Sequence, residues 1–246
     1  MDSEAEFLKT CEQVKVKQAE ARAQNEQKQK YLNKIIQAVE QSRSSTTIEY
    51  QEKKLQIDRR ERIDKIRRAL KTSIPFAFWG AHLRKLNRPF ASQLTNYDFR
   101  IGLVLVGSTG TGKTFAMASL MRRFIASGQA CVRIGWEMLC IEIRGTYQKD
   151  STKTEEQILK RLLWPRHLFI EDIGAGKAID APETDFAKRI LYVLIDTRLE
   201  NGLPTYITTN KTREQLAASF DERIASRLSC FKWIAVGGND KRKPNA

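Results

Sequence analysis

The chain is 246 residues long, 41% hydrophobic and 29% charged, with 43 Lys and Arg against 29 Asp and Glu and a formal net charge of +14. Its four cysteines (Cys11, Cys131, Cys140, Cys230) and two histidines (His82, His167) lie far apart with no C-x-x-C pair, a pattern that argues against a zinc site and fits reduced thiols in a cytoplasmic protein. No run of 18 apolar residues occurs, and the opening Met1-Asp-Ser-Glu-Ala-Glu6 has neither the basic nor the apolar region of a signal peptide, so membrane and export readings are set aside.

Residues 1–74 contain neither Gly nor Pro and are rich in Gln, Lys, Glu and Arg, a composition for helix or disorder rather than a packed α/β core. Leu32, Ile35, Ile36 and Val39 repeat at i, i+3, i+4, i+7, and Ser42-Arg-Ser-Ser-Thr-Thr47 interrupts that stripe with residues that prefer caps and turns. Two helices joined there are expected. The second carries Leu55, Ile63, Ile66 and Leu70 among Arg59, Arg60, Arg62, Lys65, Arg67 and Arg68. These stripes are too thin for an independent core, so the segment reads either as a solvated hairpin or as an arm that docks on a partner helix. Residues 75–100 form an aromatic linker, with Phe76, Phe78, Trp79, Phe90, Tyr97 and Phe99 expected to pack as core against the following domain near its ligand.

From residue 101 to the end, apolar runs alternate with helical patterns. Strands are predicted at 101–106, 130–134, 167–170, 204–208 and 231–236, and helices at 115–126, 137–148, 155–163, 184–200 and 212–219, with Asn201-Gly202 as the stop of the long one. That rhythm predicts an α/β fold, a parallel sheet flanked by helices on both faces and preceded by the extended N-terminal helical region.

Between the first strand and first helix of this domain stands Gly107-Ser108-Thr109-Gly110-Thr111-Gly112-Lys113-Thr114, a complete G-x-x-x-x-G-K-[ST] phosphate-binding loop in the strand–loop–helix setting the motif requires. Its glycines let backbone N–H groups converge on one anion, Lys113 is placed for the β- and γ-phosphates, and Thr114 for Mg²⁺. ATP and Mg²⁺ are thus the expected ligands. Hydrolysis also needs a carboxylate near the metal and a group that orients water. Glu171 and Asp172 close the apolar strand His167-Leu-Phe-Ile170, the first placed to hold Mg²⁺ through water and the second to orient the attacking water. The usual order is Asp then Glu; the exchange could be absorbed by small shifts or could slow hydrolysis. Asn210, after Thr208-Thr209, reads either as a sensor of the γ-phosphate or as a turn residue capping the next helix. Arg223 and Arg227 share a helix face at i, i+4, from which one could reach a neighbouring subunit's ATP.

These residues together resemble the DnaC-type replicative helicase loaders and the similar IstB-type transposition ATPases, within the AAA+ class. The resemblance covers roughly residues 75–243. It is carried by the phosphate loop, by Leu168-Phe-Ile-Glu-Asp-Ile-Gly174, by Leu191-Tyr-Val-Leu-Ile-Asp-Thr-Arg-Leu-Glu-Asn-Gly-Leu-Pro-Thr-Tyr-Ile-Thr-Thr-Asn210, by Glu222-Arg-Ile-Ala-Ser-Arg-Leu228, and by Gly238-Asn-Asp-Lys-Arg242. It implies a P-loop AAA+ ATPase domain over 101–246, with Asn210 as sensor 1, Arg227 as the arginine finger and Arg242 as sensor 2. Implied too are self-association through that domain, a replicative helicase of the DnaB type as partner of the 1–74 arm, and single-stranded DNA. The alternative is an IstB-like ATPase that governs target capture by a transposase on duplex DNA. Three departures stand out: Glu171 where the family usually has Asp, a short helical stretch before the P-loop strand, and an end so soon after Arg242 that no lid domain of the usual AAA+ size is expected. A basic chain with a nucleotide site favours a polyanionic partner. Lys149, Lys153, Lys160 and Arg161 are the candidate DNA contacts, against a solvated basic face as the plainer alternative.

Overall fold

The computed structural model of the protein describes residues 28–30, 32, 45–175 and 182–240. The chain divides into two units, 1–69 and 70–246. In the first, Leu32 is helical and exposed, whereas Ile35, Ile36 and Val39 lie outside the described residues. Helix α1 spans Ser45–Ser73. Ser45, Thr46 and Thr47 form its first turn, so the end of the expected break is helix start. Along α1, Tyr50, Leu55, Ile57 and Ile63 are exposed.

The second unit opens with two 3₁₀ turns, Phe76–Phe78 and Leu83–Lys85, and helix α2 (Arg88–Thr95). Asn87 caps α2 by accepting the Phe90 N–H at 3.2 Å, and Pro89 supplies the fixed φ that suits a first turn. Ala81, Leu86 and Leu94 are buried, and Phe99 meets Phe124 edge-on at 5.0 Å. The expectation that every ring of this linker is core fails for two of them. Phe76 is 80% exposed and Trp79 39%. A 3₁₀ turn repeats every three residues, so positions 76 and 79 fall on one side, where the rings pack edge-on at 5.0 Å against each other instead of inward.

Strands β1 (Leu103–Val106), β2 (Cys131–Gly135), β3 (His167–Ile173), β4 (Thr205–Thr209) and β5 (Lys232–Ala235) form one parallel sheet in the order β2-β3-β4-β1-β5. Helices α3 (Lys113–Ala126), α4 (Trp136–Gly145), α5 (Glu155–Leu163), α6 (Asp185–Glu200), α7 (Arg213–Ser219) and α8 (Glu222–Ser229) connect them. The elements predicted from residue 101 onward are all present with ends moved by a few residues. Alternation along the strands assigns the two faces. Phe169 and Tyr206 stack at 4.6 Å and meet Phe124 of α3, which lies flat on His167 at 3.9 Å. Leu168, Ile170 and Ile207 turn the other way, into a core with Leu139, Ile143, Leu162, Leu191, Leu194 and Ile224 from α4, α5, α6 and α8.

Within the Leu191–Asn210 block, Gly202 takes φ 61° after Asn201 and ends α6 as expected. Arg198 is fully buried, and among the described residues no carboxylate is bonded to it. Its Nε donates to Thr205 Oγ1 at 2.9 Å, Nη1 to the carbonyls of Leu162, Leu163 and Pro165 at 2.8 to 2.9 Å, and Nη2 to Pro204 O at 2.9 Å. One side chain thus satisfies the open C-terminal end of α5 and the loops before β3 and β4. Burial lowers its pKa to about 10, so it stays charged at neutral pH.

Candidate active site

Strand β1 is buried as far as Leu105, half-buried at Val106, and delivers the chain to the sheet's C-terminal edge, between β4 and β5. There Gly110 (φ 83°) and Gly112 (φ 101°) adopt left-handed backbone that side-chain-bearing residues resist, and α3 begins at Lys113. Residues 107–114 therefore curl as the sequence predicts, with the N-terminus of α3 aimed into the loop. Lys113 is buried and turned back on the loop, its Nζ donating to Gly107 O at 2.7 Å, Ser108 O at 2.9 Å and Asn210 Oδ1 at 2.5 Å. A buried ammonium held by neutral acceptors is poised to exchange them for phosphate oxygens, which bind it more strongly.

Asn210 is thereby placed. Its Nδ2 also donates to Thr109 Oγ1 at 3.2 Å, while the cap of α7 belongs to Thr212, whose Oγ1 accepts the Gln215 N–H at 3.3 Å and whose own N–H reaches Gln215 Oε1 at 2.9 Å. Of the two sequence readings, the capping one is accounted for by Thr212, and Asn210 faces the phosphate loop.

A cavity of about 580 Å³ opens at this edge, lined by Gly110, Gly112, Lys113, Thr114, Asp172 and Asn210, with Phe78 and Lys85 from the linker on its wall. Phe78 is one of the linker rings expected near the ligand, although aromatic density alone does not say which ring turns toward it; the sequence does not single out Lys85.

The two acids diverge at a break in the β3–β4 ladder. Ile170 pairs with Ile207 but Ile173 with Thr209, so β3 carries one extra residue, and Asp172 takes φ 58° there. That conformation costs a non-glycine residue about 1 kcal/mol or more, and the Asp172 N–H is compensated by Thr208 Oγ1 at 2.9 Å. The bulge turns Asp172 into the cavity. Glu171 keeps the strand's alternation, is buried on the α3 side, and its Oε2 is ion-paired with Arg133 of β2. Burial raises its pKa, opposed by Arg133. Arg133, two residues before the Glu171 partner Gly135, is a functional candidate that sequence reasoning missed. A lone Arg inside Cys131–Gly135 was the available signal, but its partner follows only from the register.

The residues present fit a divalent cation. The cavity offers hard oxygen donors of the kind Mg²⁺ takes in the Thr114 hydroxyl and the Asp172 carboxylate; Glu171, the carboxylate expected to share the metal, is not among the residues that line it, and its Oε1 is buried with no hydrogen-bond partner among the described residues.

Arg227 lies on α8 against α6, its Nε donating to Asp196 Oδ1 at 2.5 Å and its Nη2 to Tyr192 OH at 2.9 Å. Arg223, one turn earlier, has an exposed side chain. Arg242 lies outside the described residues; the last described residue, Asp240, sits against the phosphate loop, where a Cβ on Gly110 would come within 1.8 Å of Asp240 Oδ1. The four DNA candidates are not a bare basic stripe. Arg161 and Lys153 both pair with Glu142, at 2.8 and 3.3 Å, and Lys160 pairs with Glu156 at 2.6 Å; Lys149 is exposed in the turn between α4 and α5. Though burial opposes it, Arg161 and Lys153 hold the Glu142 carboxyl below its usual range. Among the described residues, no helix is long and apolar enough to cross a membrane.

No family model matches the chain. Among curated proteins it is similar to the replicative helicase loader DnaC of Escherichia coli (strain K12), 26% identical over 125 residues, which are 51% of this chain and 49% of that one. The chain spans about half the length of the curated relatives it matches. Among solved structures, the crystal structure of the DnaC helicase loader aligns with TM-score 0.54 at 21% identity, over 66% of this chain and all of the other. The replication initiator DnaA bound to AMPPCP and single-stranded DNA aligns with TM-score 0.54 at 12% identity, over 65% of this chain and 50% of that one. The fold is that of P-loop AAA+ domains, and the sequence relatives are DnaC loaders, in agreement with the resemblance carried by the motifs.

Proposed function

We propose, from the premise that the chain is a AAA+ protein of the DnaC type, that it is an ATPase which loads a DnaB-type replicative helicase onto single-stranded DNA in the cytoplasm. The observation that carries the nucleotide half is the convergence of Lys113, Asn210 and Asp172 on one cavity at the sheet's C-terminal edge. Similarity to the DnaC loaders supports the helicase half.

In this reading the amides of 107–114 and the Lys113 ammonium bind the β- and γ-phosphates, Lys113 leaving its carbonyl partners to do so. Thr114 and Glu171 would hold Mg²⁺, which when bound neutralises charge on the phosphates. Asp172, brought forward by the bulge, orients the attacking water, and Asn210 contacts the γ-phosphate while still touching the loop through Thr109. Arg227 completes the site of a neighbouring subunit, so hydrolysis requires assembly. Arg242, on the motif resemblance, serves as sensor 2, a further phosphate contact. The arm over 1–74 grips the helicase, and Lys149, Lys153, Lys160 and Arg161 meet the DNA backbone after exchanging their carboxylate partners for phosphates.

A loading assay tests this reading. Helicase deposited on circular single-stranded DNA should appear only with the wild-type chain and ATP, and Lys113→Ala should leave the circles bare. Deposition that proceeds equally without the chain, or with Lys113→Ala, would refute it.

A further inference from the structure

Two arginines stand one turn apart on α8, and the structure treats them differently. Arg223 has a 3.5 Å contact with Asp221 and its guanidinium carbon stands 5.0 Å from the centre of the Tyr192 ring, but its side chain is 69% exposed and no hydrogen bond to Tyr192 OH fixes it among the described residues. Arg227 is 26% exposed and is held along one edge of its guanidinium: Nε by Asp196 at 2.5 Å, Nη2 by Tyr192 OH at 2.9 Å. Its central carbon also stands 4.7 Å from the centre of the Tyr192 ring. Among the described residues Nη1 has only a long 3.4 Å contact, with the Arg223 carbonyl. A guanidinium carries five N–H donors in a fixed planar fork, so fastening Nε and one donor of Nη2 sets the plane while Nη1 keeps donors for another ligand.

We infer that Asp196 and Tyr192 are positioning residues that fix the Arg227 guanidinium for the ATP of a neighbouring subunit. The inference rests on the trans-acting role of Arg227 proposed above. Asp196 also compensates the charge, so Arg227 can remain half-buried at its post while no phosphate is present. The ligand class is the γ-phosphoryl group of a bound nucleoside triphosphate, a tetrahedral anion suited to the free edge of the fork. An arginine held in advance loses less freedom on meeting that group than one that must be ordered first, as Arg223 would be.

Steady-state hydrolysis by the full chain with single-stranded DNA tests this, with each variant measured alone and then mixed with excess Glu171→Gln, whose subunits cannot turn over but keep Arg227 and its two holders. Asp196→Asn should lower kcat about tenfold with KM for ATP unchanged, and Tyr192→Phe, which keeps the ring and loses the hydroxyl, should lower it less. Both should recover in the mixture, because the defect lies in the finger given to a neighbour and not in the variant's own site; a merely misfolded variant would not recover. An Asp196→Asn rate equal to or above wild type overturns the inference, as does a loss that the mixture fails to restore. Arg227→Ala run in the same mixture separates the two ideas. If it recovers and Asp196→Asn shows no defect, the positioning role alone falls; if it never recovers, the trans-acting reading falls and the positioning role with it.

Discussion

Lys113 illustrates how a residue's surroundings carry its purpose. Its ammonium is buried and satisfied by two loop carbonyls and Asn210, so it is paid for in the free protein and still exchangeable. Lys113→Ala should weaken ATP binding at least a hundredfold with little change in folding, measured with a fluorescent nucleotide and by urea melting. Glu171→Gln should retain nucleotide binding and stop turnover, since it keeps the shape of the side chain and removes the charge. His167 concerns stability instead. Gln129 Oε1 faces its Nε2, so that nitrogen carries the proton and Nδ1 accepts from Tyr206 OH at 2.9 Å. Burial, aided by Arg166 and Arg198, lowers its pKa to about 3. A histidine whose folded pKa lies below its unfolded value of roughly 6.5 costs stability as pH falls through that interval, because the unfolded chain takes up a proton that the folded chain refuses. Urea melts between pH 6.5 and 4 should therefore show a loss of up to about 1.4 kcal/mol per pH unit from this group, and His167→Phe should shallow that slope although it lowers stability overall.

At the level of elements, two features decide where the chemistry falls. The bulge in β3 lets neighbouring acids serve different places, Glu171 under α3 and Asp172 in the cavity. Arg198 gathers the end of α5 and the entries to β3 and β4 on one side chain. Arg198→Met keeps the volume and deprives several buried carbonyls of their donor, so it should destabilise the domain by roughly 3 kcal/mol or more, read as a shift in the urea midpoint. Arg198→Lys should not restore it, because an ammonium cannot span the planar fork.

For the whole molecule, the division into units 1–69 and 70–246 bears on the arm. A protein lacking residues 1–70 should bind ATP as tightly as the full chain and fail to co-purify with the helicase; retention of the helicase would sink the arm's proposed role. The single-strand affinity should fall steeply with salt, and a Lys160→Ala, Arg161→Ala variant should flatten the slope by up to roughly two units. Because both cations are ion-paired in the free protein, a smaller change would measure how far Glu142 and Glu156 already neutralise them.

Sequence by itself determined the order and kind of the elements, the phosphate loop and the acid pair, because each is written locally: glycines where the backbone must take left-handed angles, an apolar strand before, an amphipathic helix after. It also carried the motif block ending in Asn210, though not the reason for it, since Arg198 acts through carbonyls some thirty residues away. Tertiary structure alone decided that Asn210 turns to Lys113, that Arg133 shares the Glu171 carboxylate, that Asp172 comes forward into the cavity, and that Asp196 and Tyr192 hold Arg227. Each depends on strand register, on a one-residue bulge or on a helix-to-helix contact. Those are relations between segments distant in the chain, and no local spacing encodes them.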